Sequence, residues 1–273
     1  MQKELGLNRI TPSGLVCYEK CPKLFYYTVW LGLKLPTSKV HMSFGTAIHE
    51  SIDHIYFLKP AWDQTQDPQF FNQVVEVLKE KFKLHHVDIP NLTPLEQANK
   101  YNEMLVDGIE MLKQFWDQKE ILWTAGVRPV RMELPLKLDV FHPQTKETLC
   151  VPVSCRLDGE TEDSDVVEFK TSSAKYDIFE TLGSNQARLY AWVQFCRTGK
   201  IPNVHYVVLL KKRKNDKIQH LHLEYDEADL LAFDAKVRAM LEKIRNREFD
   251  RPVRGHDYFC DCTKIEALLS NTQ

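Results

Sequence analysis

Asp158 is followed ten residues later by Glu168-Phe169-Lys170, and both stretches alternate apolar and polar residues with the period of a strand. Side chains of a strand point to its two faces in turn, so Glu168 and Lys170 share one face while Phe169 packs into the other. If the strand ending at Asp158 pairs as a hairpin with the strand over 165–170, two carboxylates and an ammonium converge at one end of a sheet. Hard oxygen ligands that close together suit Mg²⁺ or Mn²⁺, which are held by one or two carboxylates along with water and substrate phosphate. Spacing by itself favours a plainer reading, a solvated Glu–Lys pair on an exposed strand. Val166, Val167 and Phe169 ask for one well-buried face and shift the balance toward a site.

Gln186 and Tyr190 are four apart and so lie on one helical face, as do Gly45, His49 and Asp53. Taken alone, Tyr190 is a half-buried core aromatic and His49 an ordinary helix histidine. Together they have company that carries a resemblance. Val166-Val-Glu-Phe-Lys-Thr-Ser resembles the D/E-x-K-T motif of the PD-(D/E)XK nuclease superfamily in its RecB-like form, and Cys155-Arg-Leu-Asp158-Gly resembles the acidic motif before it. Gln186-Ala-Arg-Leu-Tyr190-Ala-Trp is similar to the family's Q-x-x-x-Y motif, and Phe44-Gly-Thr-Ala-Ile-His49-Glu to its G-x-x-x-H helix. Each motif is weak singly; their order along about 150 residues is specific.

The resemblance implies a metal-dependent DNA nuclease, an exonuclease working on single strands or duplex ends in recombination or repair. It implies that Asp158, Glu168 and His49, with the main-chain carbonyl of Phe169, hold one or two Mg²⁺ or Mn²⁺ ions. Lys170 would orient the attacking water, and Gln186 and Tyr190 would fix that water or the scissile strand. Gly45 would give room beside His49, and Asp53 would orient its ring. Glu133 and Glu50 stay outside the main set. The alternative is a DNA-binding recombination accessory whose nuclease site is idle.

Seven cysteines, an odd number, do not suggest a disulfide framework. Cys21-Pro-Lys-Leu-Phe-Tyr resembles the C-P segment of the iron-sulfur branch of these nucleases, in which one early and three late cysteines hold a 4Fe-4S cluster. Here the late pair is Cys260-Asp-Cys262 with no cysteine beyond it, so Cys17 would have to join Cys21, Cys260 and Cys262. A zinc site and unligated thiols stay open as alternatives.

These residues need elements to position them. Helical periodicity covers 43–56 and two or three stretches over 68–122, with Thr11 and Pro12 opening a short helix before them. Strands follow at 132–141, 149–160 and 165–170, then a helix over 177–198, a hairpin with Asn215-Asp216 at its tip, and a last helix capped by Asp226. This order predicts an α/β fold with a mixed central sheet flanked by helices, and the resemblance implies that the sheet is a restriction-endonuclease-like core. It would form a single domain over 1–273, with a helical insertion or lid at 57–127, the catalytic sheet at 128–215 and a C-terminal helix with a cysteine tail at 226–273.

Net charge is −2 over 273 residues, so a nucleic-acid partner must be held locally. Residues 197–254 carry 14 Lys and Arg against 9 Asp and Glu. Lys211, Lys212, Arg213 and Lys214 are therefore candidate phosphate contacts, or else a solvated hairpin tip that protects a sheet edge. No apolar run approaches a membrane span and the first ten residues lack a signal-peptide pattern, which predicts a cytoplasmic protein. Oligomeric state is not legible.

Overall fold

The computed structural model describes residues 7–34, 40–65, 67–89, 91–211, 218–251 and 260–270. Two short helices, α1 (Pro12–Lys20) and α2 (Pro22–Phe25), lead into three longer ones: α3 (Val40–Thr65), α4 (Gln69–Lys81) and α5 (Pro94–Thr124). Strands β1 (Pro129–Leu138), β2 (Val153–Thr161) and β3 (Val166–Ser172) come next, then helices α6 (Ile178–Leu182) and α7 (Asn185–Thr198). The chain returns through β4 (Val204–Leu210) and β5 (Ile218–Leu223) to α8 (Glu227–Arg245) and α9 (Asp261–Ser270). The five strands lie in chain order in one sheet. β3 and β4 are parallel, joined across α6 and α7, and every other pair is antiparallel. The expected mixed α/β sheet is what forms.

Each face of the sheet buries its own core. Val166, Val204 and Tyr206 pack against Ala187, Tyr190 and Trp192 of α7 and Leu230, Phe233 and Val237 of α8. On the other face Val167, Phe169, Val207 and Leu209 meet Ile48, Ile52 and Ile55 of α3, Leu78 of α4 and Met111 and Phe115 of α5. The stretch 57–127, expected as an insertion or lid, thus supplies about half of the buried residues of the core on this second face. Gly108 shows how closely it packs: an added Cβ would stand 3.0 Å from Leu78 and 3.1 Å from Phe44. A glycine inside a helix costs about 1 kcal/mol, which this close approach of α5 to α3 and α4 offsets.

Four expectations are corrected. The single helix over 177–198 is two, because the Ser184 side chain accepts the Ala187 N–H and starts α7 afresh after Gly183. The strand expected from 149 begins at Val153, after Pro152, which has no N–H for a ladder. The strand expected over 132–141 runs earlier, from Pro129 to Leu138, set by its pairing with β2. The chain does not end its secondary structure with α8, since α9 follows and buries Cys262 and Ile265.

If α4 and α5 formed a separable lid, weakening their contact with the sheet would leave global unfolding unchanged. Phe115 is fully buried with its ring 5.7 Å from that of Phe169. Phe115→Ala should cost about 3–5 kcal/mol of global stability in urea unfolding. An unaltered midpoint would show that the layer is a separable lid.

Candidate active site

The β2–β3 ladder lasts for two residue pairs, Gly159↔Val167 and Glu160↔Val166. Beyond them the Asp158 side chain takes over from the backbone, its Oδ2 accepting the Phe169 N–H at 2.9 Å. The strands are thereby held at a fixed spacing with a carboxylate between them, and His49 of α3 approaches from above, its Nδ1 3.4 Å from the same oxygen. Burial lowers the His49 pKa, but the hydrogen bond and charge of Asp158, together with Glu168, outweigh it and leave the net shift upward.

Glu168 faces the α7 side of β3 and is 2% exposed. Its Oε1 accepts from Lys170 Nζ and, at 2.8 Å, from Gln186 Nε2. Its Oε2 is buried without a hydrogen-bond partner. Burial first, and the charge of Asp158 second, push its pKa up to about 8 against the pull of Lys170 and His49. Burial alone would lower Lys170, yet Glu168 and then Asp158 more than compensate, so its ammonium is held above the ordinary lysine range. Alternation along β3 is as the sequence predicted: Phe169 turns away to rings of Tyr56 and Phe115.

Gln186 and Tyr190 are joined to each other and to Glu168. Gln186 Nε2 also donates to Tyr190 Oη at 2.9 Å, and Tyr190 is only 4% exposed. Spaced one turn apart on α7, the two brace Glu168 from below. Burial and the nearby Glu168 charge raise the Tyr190 pKa, which keeps the phenol neutral.

One residue that the sequence reading left aside belongs at the centre. His49, Glu133 and Asp158 each offer a ligand atom within 4.8 Å of the others, whereas Glu168 stands outside that group. Glu133 lies in β1 between Met132 and Leu134, which pair with Gly159 and Leu157, so it stands opposite Asp158. It holds φ +50°, a left-handed conformation that costs a non-glycine residue about 1–2 kcal/mol. Arg156 Nη1 donates to its Oε2 at 3.2 Å. Burial and then Asp158 raise its pKa, with Arg156 and His49 opposing. Strand periodicity carries no sign of a left-handed residue, and only the glutamate's place ahead of the acidic motif could have flagged it.

The family model of the PD-(D/E)XK nuclease superfamily matches residues 9–264. The chain belongs to this superfamily of nucleases. In fold the nuclease is similar to a candidate exonuclease from Eubacterium rectale, with a TM-score of 0.56 at 9% identity over 94% of this chain and 88% of that one. A protein named SSO0001 overlays at a TM-score of 0.40 and 13% identity, over 97% of this chain and 92% of that one. No curated protein matches the sequence significantly.

Other residues singled out from the sequence lie elsewhere in the nuclease. Asp53 interacts with His54 and Glu50 rather than orienting His49, and Glu50 pairs with Lys81 at 3.1 Å. An added Cβ at Gly45 would meet only Thr171 Oγ1, at an ordinary 3.7 Å, so packing around His49 does not require that glycine. Lys211 donates its N–H to Ser172 and places Nζ 5.0 Å from the centre of the Phe44 ring, while Lys212, Arg213 and Lys214 and the hairpin tip are outside the described residues. Cys21, Cys260 and Cys262 converge with all three sulfurs within 4.8 Å of one another, and Cys17 is not in that group. None of the seven cysteines is in a disulfide. No described helix is long and apolar enough to cross a membrane.

The Glu168 carboxyl has a pH-dependent signature. Its folded-state pKa lies above the unfolded value of 4.5, so the stability of the protonated carboxyl is fully present below about pH 4.5 and is lost progressively as pH rises toward about 8, because the unfolded chain ionises while the folded one keeps its proton. With metal ions chelated, Glu168→Gln should melt close to wild type at about pH 5 and at least about 2 °C above it at pH 8. A difference that is the same at both pH values would remove this account of the carboxyl.

Proposed function

We propose that the nuclease is a Mg²⁺- or Mn²⁺-dependent deoxyribonuclease, an exonuclease acting on duplex ends or single strands in recombination or repair. One observation carries the reading: a buried glutamate with an unpartnered oxygen, set beside a second carboxylate. Such a pair is costly for a bare protein and suited to a divalent cation. Asp158, Glu168, the Phe169 carbonyl and His49 would hold that ion, and Glu133 adds a third carboxylate on the His49 side. The hard oxygens with one imidazole fit Mg²⁺ or Mn²⁺.

A bound divalent cation supplies charge neutralisation on the phosphoryl oxygens and a more acidic attacking water. The remaining work falls to the protein. Lys170 stays an ammonium beside Glu168, so it donates hydrogen bonds to the water and the phosphate and does not abstract a proton. Gln186, fixed by Tyr190, keeps Oε1 of Glu168 occupied and so directs Oε2 to the site. Gln186 and Tyr190 are positioning residues. The presence of Asp158, Glu168 and Lys170 together favours an active enzyme over an idle fold, and the absence of a recognisable base-reading element favours an exonuclease over a sequence-specific endonuclease.

Lys170→Ala should lower Mg²⁺-dependent degradation of end-labelled single- or double-stranded DNA by at least about 10²-fold while leaving DNA binding intact. Asp158→Asn should weaken Mn²⁺ binding at least about tenfold in calorimetry. Wild-type turnover by Lys170→Ala, or unchanged Mn²⁺ affinity in Asp158→Asn, would sink the assignment.

A further inference from the structure

We propose that Cys21, Cys260 and Cys262 hold a single zinc ion that fastens the N-terminal helices to α9. The three thiols are buried and come from opposite ends of the chain, with Cys21 and Cys262 separated by 241 positions. Cys21 Sγ stands 3.8 Å from Cys262 Sγ. Two thiolates on one tetrahedral zinc, with Zn–S near 2.3 Å, are about 3.8 Å apart. The four thiolates of a 4Fe-4S cluster each bind a different iron, with sulfide between the irons, and stand farther apart than ligands of one ion. Three sulfurs mutually within 4.8 Å, with Cys17 outside, therefore suit one ion and not the cluster that the sequence resemblance implied. Cys21 Sγ also accepts the Leu24 N–H at 3.4 Å, a contact that favours the anionic sulfur.

The surroundings explain what such an ion would do. Among the described residues, Tyr27 and Ile265 are buried around the thiols with Leu24, Tyr26 and Leu33 packed against them, and the Tyr27 hydroxyl donates to Glu266 of α9 at 3.2 Å. An ion ligated from both ends of the chain would add metal-binding free energy to the contacts that hold the ten-residue α9. A fourth ligand, water or a protein group, completes the tetrahedron, and binding releases thiol protons to the solvent.

The test uses the full chain carrying Asp158→Asn, so that zinc at the carboxylate site does not enter the count. Protein purified without added chelator should contain about one zinc per chain, and a strong chelator should lower its melting temperature by at least about 4 °C. Cys262→Ser should lose the zinc and Cys17→Ser should keep it. Iron with labile sulfide in near-equal amounts after anaerobic purification would overturn the proposal, as would protein that binds no zinc on titration. Zinc lost in Cys17→Ser would overturn the three-thiol set. Should Cys262→Ser fail to fold, Co²⁺ titrated into the parent chain decides the matter: thiolate-to-cobalt charge-transfer absorption supports the site, and its absence overturns it.

Discussion

Glu168 and Asp158 repel each other across a gap between two strands, and the rest of the site is arranged around that repulsion. A buried carboxylate loses its hydration, and a like charge beside it adds a second penalty. Both effects act on Glu168, whose proton is held to about pH 8. Lys170 and Gln186 compensate one of its oxygens and leave the other without a partner. The protein thus keeps a carboxyl that is poorly served by its own side chains, in a place where a hard cation would serve it well.

Stiffness has to come from the scaffold, because repelling groups move apart when they can. The Asp158–Phe169 hydrogen bond closes the gap where the β2–β3 ladder stops. The Tyr190–Gln186 pair supports Glu168 from α7, while Phe169 anchors the opposite side of β3 in the core beneath α3 and α5. Glu133 adds backbone strain to the same spot, bent into a left-handed conformation within β1. Strain of this kind persists only where neighbouring structure over-determines it.

Much of this arrangement is readable from residue types. Period-two alternation gives the shared face of Glu168 and Lys170 and the opposed face of Phe169, and four-residue spacing gives the common face of Gln186 and Tyr190. What pattern does not give is depth or aim. Spacing could not say that Tyr190 is covered and acts through Gln186, nor that Glu133 leaves the ordinary strand conformation to stand with Asp158 and His49. The division of 177–198 into two helices rests on one serine cap, a local hydrogen bond that periodicity ignores. The ten-residue α9 depends on contact with Cys21 and Tyr27, more than 200 positions away, and short-range pattern carries no trace of that. Sequence offers Cys17, four residues before Cys21, as a stand-in for a missing late ligand, whereas the fold draws Cys21, Cys260 and Cys262 together without it.

The central claim is that Glu168 surrenders a proton when a divalent cation arrives. Calorimetric titration of Mn²⁺ at pH 7, repeated in buffers of different ionisation enthalpy, measures that exchange directly. The account predicts an observed heat that varies linearly with buffer enthalpy, with a slope of at least about one proton released per ion bound, His49 giving up any proton it carries as well, and falling toward zero above about pH 9. A heat independent of the buffer at pH 7 would contradict it, because Glu168 would then be ionised before the metal binds.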